Sequence, residues 1–202
     1  MSRYPDAIWT PGPSWKTEAW QRTPSGVVCH SAVGYQGGLM SVLNGTRRAS
    51  WHFSVLQDGT VWQHYDTLEV AWHAQGANAT CVGIEHEGGY DPADEPLTPA
   101  QLAASVKLVR WLAQEHGFGL VRKQTLWEHN DWWQTSCPSG RIPWDAYTEE
   151  DTVSEKEAAE LREQNAILTA GLREAHLFIK EMWQQLGNLV VNADKVLDPW
   201  EP

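Results

Sequence analysis

The stretch TCVGIEHE at residues 80–87 is an apolar run of strand length, and two glycines end it. From Thr98-Pro99 to His116-Gly117 the pattern changes, and apolar residues recur every three or four positions. Proline at the first helical position and glycine after the last one are typical helix boundaries. A buried strand followed by an amphipathic helix predicts an α/β domain with a central sheet. The apolar positions of the predicted helix are Leu102, Val106, Val109, Leu112 and Ala113.

Upstream of this stretch, three further segments have strand character. GVVCH at residues 26–30 is short and apolar, and we expect a polar loop over residues 31–38 after it. WHFSVL at residues 51–56 and TVWQHY at residues 60–65 flank Asp58-Gly59, which is a strong β-hairpin signal. The sequence therefore predicts a sheet whose connecting loops carry the functional side chains.

The composition changes near Tyr147, and we predict a domain over residues 1–147 and a separate helical segment over residues 148–202. Capping-box patterns at residues 148–151 and 154–157 predict that a helix starts there. A heptad spacing of apolar residues follows, which is typical of a coiled coil or of a helix packed in a bundle. Its positions are Leu161, Asn165, Leu168, Leu172, Ala175, Ile179, Met182, Leu186 and Leu189.

The heptad pattern leaves two interpretations open. Asn165 falls at an a position, where paired amides favour a parallel dimer, so we expect a homodimer through this helix. The same pattern would serve equally well if the helix folded back on its own domain.

Composition excludes several classes of protein. With 42% hydrophobic residues in 202, the chain is not disordered throughout, and it contains no apolar run of membrane-spanning length. A net charge of −11 without a basic cluster argues against a nucleic-acid partner. The polar first twenty residues do not resemble a signal peptide, so we expect synthesis in the cytoplasm and no membrane insertion.

The cysteines and the tryptophans each bear on the kind of site the chain can form. Three cysteines make a disulfide framework improbable, and alternation along the strand predicts that Cys29 faces the core; a packed thiol is also the better interpretation of Cys81. Thirteen tryptophans suit a groove that stacks on sugar rings or grips an extended ligand. An aromatic-rich core would account for the tryptophans equally well.

Three residues offer a possible metal site. His30 and His129 each lie where a predicted strand meets a loop, and Cys137 follows eight residues after His129. Two imidazoles and one thiolate can bind zinc tetrahedrally, and the fourth position stays open for water as in catalytic sites. On spacing alone, three packed residues would be the more common explanation.

Five motifs together resemble the zinc-dependent N-acetylmuramoyl-L-alanine amidases, a family that includes amidase-type lysozymes of bacteriophages and is related to the peptidoglycan recognition proteins. The resemblance covers roughly residues 20–147 and implies a central mixed sheet flanked by helices. The motifs are VVCHS at 27–31, SWHF at 50–53 with DGT at 58–60, AWHA at 71–74, VGIEHEG at 82–88, and the segment 129–138.

The resemblance implies a role for five residues. His30, His129 and Cys137 fall on the zinc-ligand positions, and Glu85 falls on a strand glutamate implicated in catalysis in some members. Thr135 occupies the position of a donor near the scissile carbonyl, where a lysine would bring a positive charge that threonine lacks.

The neighbouring motifs suggest further candidates for substrate binding. Some phage members have a catalytic tyrosine at the position of Trp51, so this departure shifts acid–base chemistry onto Glu85. Trp51 is a candidate for stacking in the groove, and His52 is either a residue that supports the site or a core residue. Trp72 and His73 belong to a motif that lines the substrate groove in relatives.

The resemblance implies an enzyme that cuts peptidoglycan between N-acetylmuramic acid and L-alanine, as a phage or prophage endolysin that reaches the wall through a pore made by a separate protein. A non-catalytic peptidoglycan-binding module of the same fold is the alternative. Such modules commonly lose the third zinc ligand, whereas Cys137 is present here. A bacterial recycling amidase is a further possibility, although the long acidic helix is not expected in that group.

Overall fold

The computed structural model describes residues 2–18, 22–88, 95–149 and 152–197, with helix side chains near the C-terminus described at positions 163, 164 and 166–186. The chain divides into two compact units, Met1–Glu149 and Glu150–Pro202. The first unit contains strands and helices, and the second contains one long helix. The helices are α1 (Gln36–Asn44), α2 (Pro99–His116), α3 (Trp144–Thr148) and α4 (Thr152–Leu197), with short 3-10 helices at Ser14–Lys16, Gln75–Ala77 and His129–Asp131.

The strands of the first unit are β1 (Ile8–Trp9), β2 (Thr17–Glu18), β3 (Gly26–Ser31), β4 (Phe53–Val55), β5 (Val61–Gln63), β6 (Val70–Ala71), β7 (Cys81–His86) and β8 (Leu126–Glu128). Six of them form a mixed sheet in the order β1-β5-β4-β7-β3-β8, and β2 pairs with β6 separately. The β4–β5 pair is antiparallel and the other pairs of the large sheet are parallel, which confirms the predicted mixed sheet and the hairpin at Asp58-Gly59.

The two faces of the sheet differ because successive strand residues point to opposite sides. Val27 and Cys29 of β3 belong to the same core cluster as Ile84 of β7 and Leu112 of α2. On β3, His30 therefore lies on the other face. Cys29 is a core residue, as the alternation predicted, and Cys81 is buried in a second cluster with Val28 and Ala77.

The buried face of α2 differs from the apolar positions that the sequence suggested. Gln101 and Ser105 are fully buried, whereas Leu102 and Val106 are only partly buried. Hydrogen bonds explain why Gln101 faces the interior. Its Nε2 donates to the carbonyls of Val55 and Glu87, each at 2.9 Å. Buried polar groups are tolerated when they are paired in this way.

Helix α1 corrects the prediction of a polar loop over residues 31–38, because the helix starts at Gln36. Its first turn contains Gly37 and Gly38, which disfavour a helix by about 1 kcal/mol each relative to alanine. Burial of Leu39 and Leu43 against Trp51 offsets this cost. The tertiary contacts therefore override the local propensity.

Helix α4 begins at Thr152, so Ser154 lies inside the helix and not at its N-cap. The described apolar side chains of the helix are exposed by 46–72%, among them Leu168, Leu172 and Ile179. The side chains of Leu161, Asn165 and Leu189, which belong to the predicted heptad pattern, lie outside the described residues. None of the described helices combines the length and apolar character needed to cross a membrane.

Candidate metal centre and active site

His30, His129 and Cys137 lie together at one edge of the sheet. Each offers a possible ligand atom, and these atoms lie within 4.8 Å of one another. His30 Nδ1 is 3.9 Å from Cys137 Sγ, and the rings of His30 and His129 have centroids 4.6 Å apart. His30 is buried and the other two are half-buried.

The topology of the sheet explains why two of these residues meet. β3, β7 and β8 run parallel to one another, so their carboxyl ends lie at the same edge. His30 is the second-to-last residue of β3, and His129 directly follows the last residue of β8. Ligand sites of open α/β sheets commonly lie at this edge.

Cys137 lies in a loop that forms hydrogen bonds with the residues next to His129 and His30. The Asn130 amide donates to the carbonyl of Cys137 at 3.1 Å, and the Ser31 amide donates to Cys137 Sγ at 3.3 Å. An N–H donor stabilises sulfur in its thiolate form, which is the metal-binding form. The loop thus holds the thiol beside His30.

His129 begins a short 3-10 helix whose first residues are held by hydrogen bonds and ion pairs of charged side chains. Glu128 and Asp131 form a reciprocal capping box around it. Arg122 forms ion pairs with both carboxylates. These contacts fix the backbone of His129 at the end of β8.

The donor set fits a metal ion. Tetrahedral zinc with one sulfur and two nitrogen ligands requires an N···S separation of about 3.6 Å, close to the distance between His30 Nδ1 and Cys137 Sγ. Burial and the neighbouring histidines hold the pKa of His30 well below its usual value, so His30 is the neutral ligand form. Burial raises the pKa of Cys137 to about 12, because a buried thiolate is unfavourable unless a cation lies beside it.

Glu85 stands next to His30, since the two residues are direct partners in the β3–β7 register and share a face. Burial raises the pKa of Glu85 from 4.5 to about 8, although Arg47 and Arg141 oppose the shift. A carboxyl group with this pKa can both accept and release a proton near neutral pH. Glu85 is therefore suited to acid–base chemistry beside the metal cluster.

A cavity of about 640 Å³ opens above these residues. Its walls include the three possible ligands and Glu85. They also include four other residues that the sequence suggested: Thr135, Trp51, Trp72 and His73. Thr135 Oγ1 accepts a hydrogen bond from the Cys137 amide at 3.2 Å, so its hydroxyl proton can be donated to a ligand.

His52, in contrast, is fully buried and is not among the described residues that line the cavity. Its Nδ1 accepts a hydrogen bond from the Gly83 amide at 2.9 Å, and its Nε2 donates to the Glu69 carbonyl at 3.0 Å. Both ring nitrogens are thus used within the fold. Of the two roles left open for His52, these contacts favour support of the structure.

The two tryptophans differ in how far they are available to a ligand. Trp51 is 5% exposed, and its indole N–H donates to Ser54 Oγ at 2.8 Å. Trp72 is half-buried, with the Arg48 guanidinium 4.6 Å from its ring centroid. Trp72 therefore offers more surface for stacking than Trp51 does.

Sequence reasoning missed several residues that line the cavity. Arg47 and Arg48 come from the loop between α1 and β4. Trp133, which is 54% exposed, comes from the segment between His129 and Cys137. Asn78 lines the same cavity and also caps the turn that holds His73. The surplus of tryptophans was the signal for Trp133, whereas no local pattern marked the arginines.

Comparisons with known proteins agree with this geometry. The sequence profile of the N-acetylmuramoyl-L-alanine amidase family matches residues 20–140. N-acetylmuramoyl-L-alanine amidase A of Achromobacter lyticus is 29% identical over 114 residues, which are 55% of this chain and 64% of that protein. The endolysin of Enterobacteria phage T3 is 33% identical over 92 residues, 44% of this chain and 58% of that protein. The chain thus spans less than two thirds of each of these curated relatives.

Solved structures show the same fold. The N-acetylmuramoyl-L-alanine amidase LysC from Clostridium intestinale URNW has a TM-score of 0.59 at 24% identity, covering 71% of this chain and 95% of that one. The catalytic domain of XlyA has a TM-score of 0.57 at 25% identity, covering 70% and 96%. These likenesses confirm the predicted mixed-sheet fold of the amidases.

Proposed function

We propose that this chain, which belongs to the N-acetylmuramoyl-L-alanine amidase family, hydrolyses the amide bond between N-acetylmuramic acid and L-alanine in peptidoglycan. One observation carries the proposal: a cluster of two histidines and one cysteine lies beside a half-buried carboxyl group in the wall of a cavity of about 640 Å³. The fold and the family match support it.

The metal in this proposal is zinc, which His30, His129 and Cys137 would hold. A mixture of imidazole and thiolate donors suits this ion. When bound, zinc supplies a Lewis acid for the scissile carbonyl and an activated water at neutral pH.

The residues of the chain supply the proton transfers and the orientation. The Glu85 carboxylate accepts the proton of the attacking water and delivers it to the leaving amine nitrogen of L-alanine. The Thr135 hydroxyl donates a hydrogen bond to the oxygen of the scissile carbonyl as negative charge develops there. Trp72 and Trp133 offer apolar faces to the sugar rings and stem peptide along the cavity.

One experiment separates this enzyme from a peptidoglycan-binding module of the same fold. Metal analysis of the purified protein is combined with mass spectrometry of digested sacculi. Zinc at one equivalent, with free stem peptides that begin at L-alanine, is expected of the amidase. Sacculi bound without any released peptide would instead identify the binding module.

In its biological setting we infer a phage or prophage endolysin that acts at the bacterial cell wall. The likeness to the endolysin of phage T3 supports this inference. We also propose that a pore made by a separate protein gives it access to its substrate, peptidoglycan.

The partner that we propose for helix α4 is a second copy of the same helix. Exposed apolar residues follow one another with alternating spacings of four and three residues, at Leu168, Leu172, Ala175, Ile179, Met182 and Leu186. A repeat of 3.5 residues keeps one stripe facing a neighbouring helix over several turns. Pairing would also join two catalytic cavities, which would hold one polymer longer than a single cavity does.

Substituting Ile179 by aspartate is expected to dissociate such a dimer. Ile179 lies on the heptad stripe, where burial of each aliphatic side chain stabilises the dimer by about 1.5–3 kcal/mol. The substitution removes two such side chains, one from each chain. Leu177 is a matched control, because it is 55% exposed against 53% for Ile179 but lies off the stripe. Light scattering should show twice the mass of 22.8 kDa for the wild type and for Leu177→Asp, and the single mass for Ile179→Asp.

A truncation after Thr148 should also be monomeric and should still cleave soluble muropeptides. If the full chain is itself monomeric at high concentration, the pairing proposal is wrong. The helix would then dock on its own domain, and the truncated protein should unfold at a lower temperature than the whole chain.

A further inference from the structure

His73 is held by hydrogen-bonding groups at both nitrogens of its ring. Its Nε2 is 3.1 Å from the Cys81 carbonyl, and its Nδ1 is 3.1 Å from His30 Nε2. Since a carbonyl oxygen only accepts, His73 Nε2 must carry a proton and donate it. His73 therefore faces His30 with its other nitrogen.

The Cys81 carbonyl determines the tautomer of the neutral His73 ring. A neutral imidazole has one N–H, which His73 uses at Nε2, so its Nδ1 is an acceptor. The proton between the two rings consequently belongs to His30 Nε2.

This proton decides which atom of His30 is free. A neutral imidazole has one N–H, so protonation of Nε2 leaves a lone pair on Nδ1. Nδ1 is the atom that lies 3.9 Å from Cys137 Sγ, within the possible metal cluster. The hydrogen bond from His30 to His73 thus selects the tautomer that can bind a metal there.

Two features hold the His73 ring in this place. Asn78 Oδ1 accepts hydrogen bonds from the amides of His73 and Ala74, at 2.9 and 2.7 Å, which fixes the turn. Gly83 on β7 leaves the space for the ring, because a Cβ at that position would lie 2.6 Å from His73 Cγ. The glycine between Val82 and Ile84 is therefore a requirement of His73.

We propose that His73 is a positioning residue for the metal site, which holds His30 in the tautomer whose Nδ1 faces His129 and Cys137, and that Gly83 provides the space for it. The inference rests on the proposed function, since it concerns the zinc ligands of that site. It assigns His73 a role through His30 that is separate from any contact with substrate.

The test compares two variants of nearly equal shape. His73→Asn keeps an acceptor close to the position of Nδ1, whereas His73→Leu removes it. Zinc affinity of the full chain is measured by competition with a chromophoric chelator. His73→Leu should weaken zinc binding about 10–100-fold, the usual effect of losing a partner of a ligating histidine, and His73→Asn should recover most of the loss.

The outcomes are distinct. A wild-type chain that binds no zinc would overturn the proposed function, and this inference with it. Wild-type binding with equal losses in the Asn and Leu variants would overturn only the inference, because shape and not the acceptor would then matter. Long-range ¹⁵N–¹H spectra of the zinc-loaded wild type decide the point without any variant: protonated His30 Nε2 is expected, and protonated Nδ1 would contradict it.

Gly83→Ala should weaken zinc binding in the same direction, because the new methyl group displaces the His73 ring. Gly119→Ala is the control, since a Cβ there would meet its nearest atom, Val121 Cγ2, at 3.9 Å. The thermal unfolding midpoints of the metal-free proteins are measured beside the zinc affinities. Zinc affinity of Gly83→Ala equal to that of Gly119→Ala would exclude the role given to Gly83.

Discussion

Substitution of Cys137 by serine, or of His30 or His129 by alanine, is expected to reduce the lysis of sacculi to background. In the proposed site each of the three residues is one of three protein ligands, so losing one would empty the site or misplace the metal. The effect should exceed the 10²–10⁴-fold loss that removal of a general base causes. Turbidity of a sacculus suspension and zinc content by atomic spectrometry are the measurements.

Cys81→Ser is the matched control, because Cys81 is buried in a separate apolar cluster with Val28 and Ala77. It should retain both zinc and activity, even if its stability is lower. Chelation should inactivate the wild type, and added zinc should restore it. Full activity after exhaustive chelation would refute a metal mechanism.

Glu85→Gln is expected to keep zinc and substrate binding but to lower kcat by about 10²–10⁴-fold. Glutamine has the same shape as glutamate and can still form hydrogen bonds, but it cannot accept the proton of the attacking water. Single-turnover cleavage of a soluble muropeptide, together with zinc content, separates the chemical step from metal loss. A decrease below about threefold would assign the base to another group.

The pH profile gives a second readout for Glu85. Without a metal, burial raises its pKa from 4.5 to about 8, and the charge of bound zinc lowers the pKa from there. A general base acts only when deprotonated, so kcat/KM should rise with pH along an acid limb between these two values. The limb should be absent in the residual activity of Glu85→Gln, and an unchanged limb would show that another group titrates.

Features determined by near neighbours in the chain could be predicted from the sequence. Asp58-Gly59 determines its hairpin because the turn needs a glycine, which here has φ of 88°. Thr98 and Gly117 cap α2 as expected, with a threonine side chain that accepts from the Gln101 amide and a left-handed glycine. Strand alternation placed Cys29 in the core for the same local reason.

The site residues, in contrast, could not be predicted from near neighbours in the chain. His30, Glu85, His129 and Cys137 were proposed through the order of motifs that resemble a known family, since no local pattern distinguishes a ligand from a packed histidine. Parallel pairing of β3 with β7 and β8 brings the first three together. Only the order of the strands, which depends on long-range contacts, makes them neighbours.

Several outcomes were decided by the tertiary structure alone. Helix α1 forms despite two glycines because Leu39 and Leu43 are buried by segments distant in sequence, and α2 turns Gln101 and Ser105 inward because partners on other elements accept or donate hydrogen bonds there. His73 likewise could be placed near the groove from its motif. Which atoms its two ring nitrogens meet depends on the separation of β3 and β7 and on the missing side chain of Gly83, and that is a property of the folded chain.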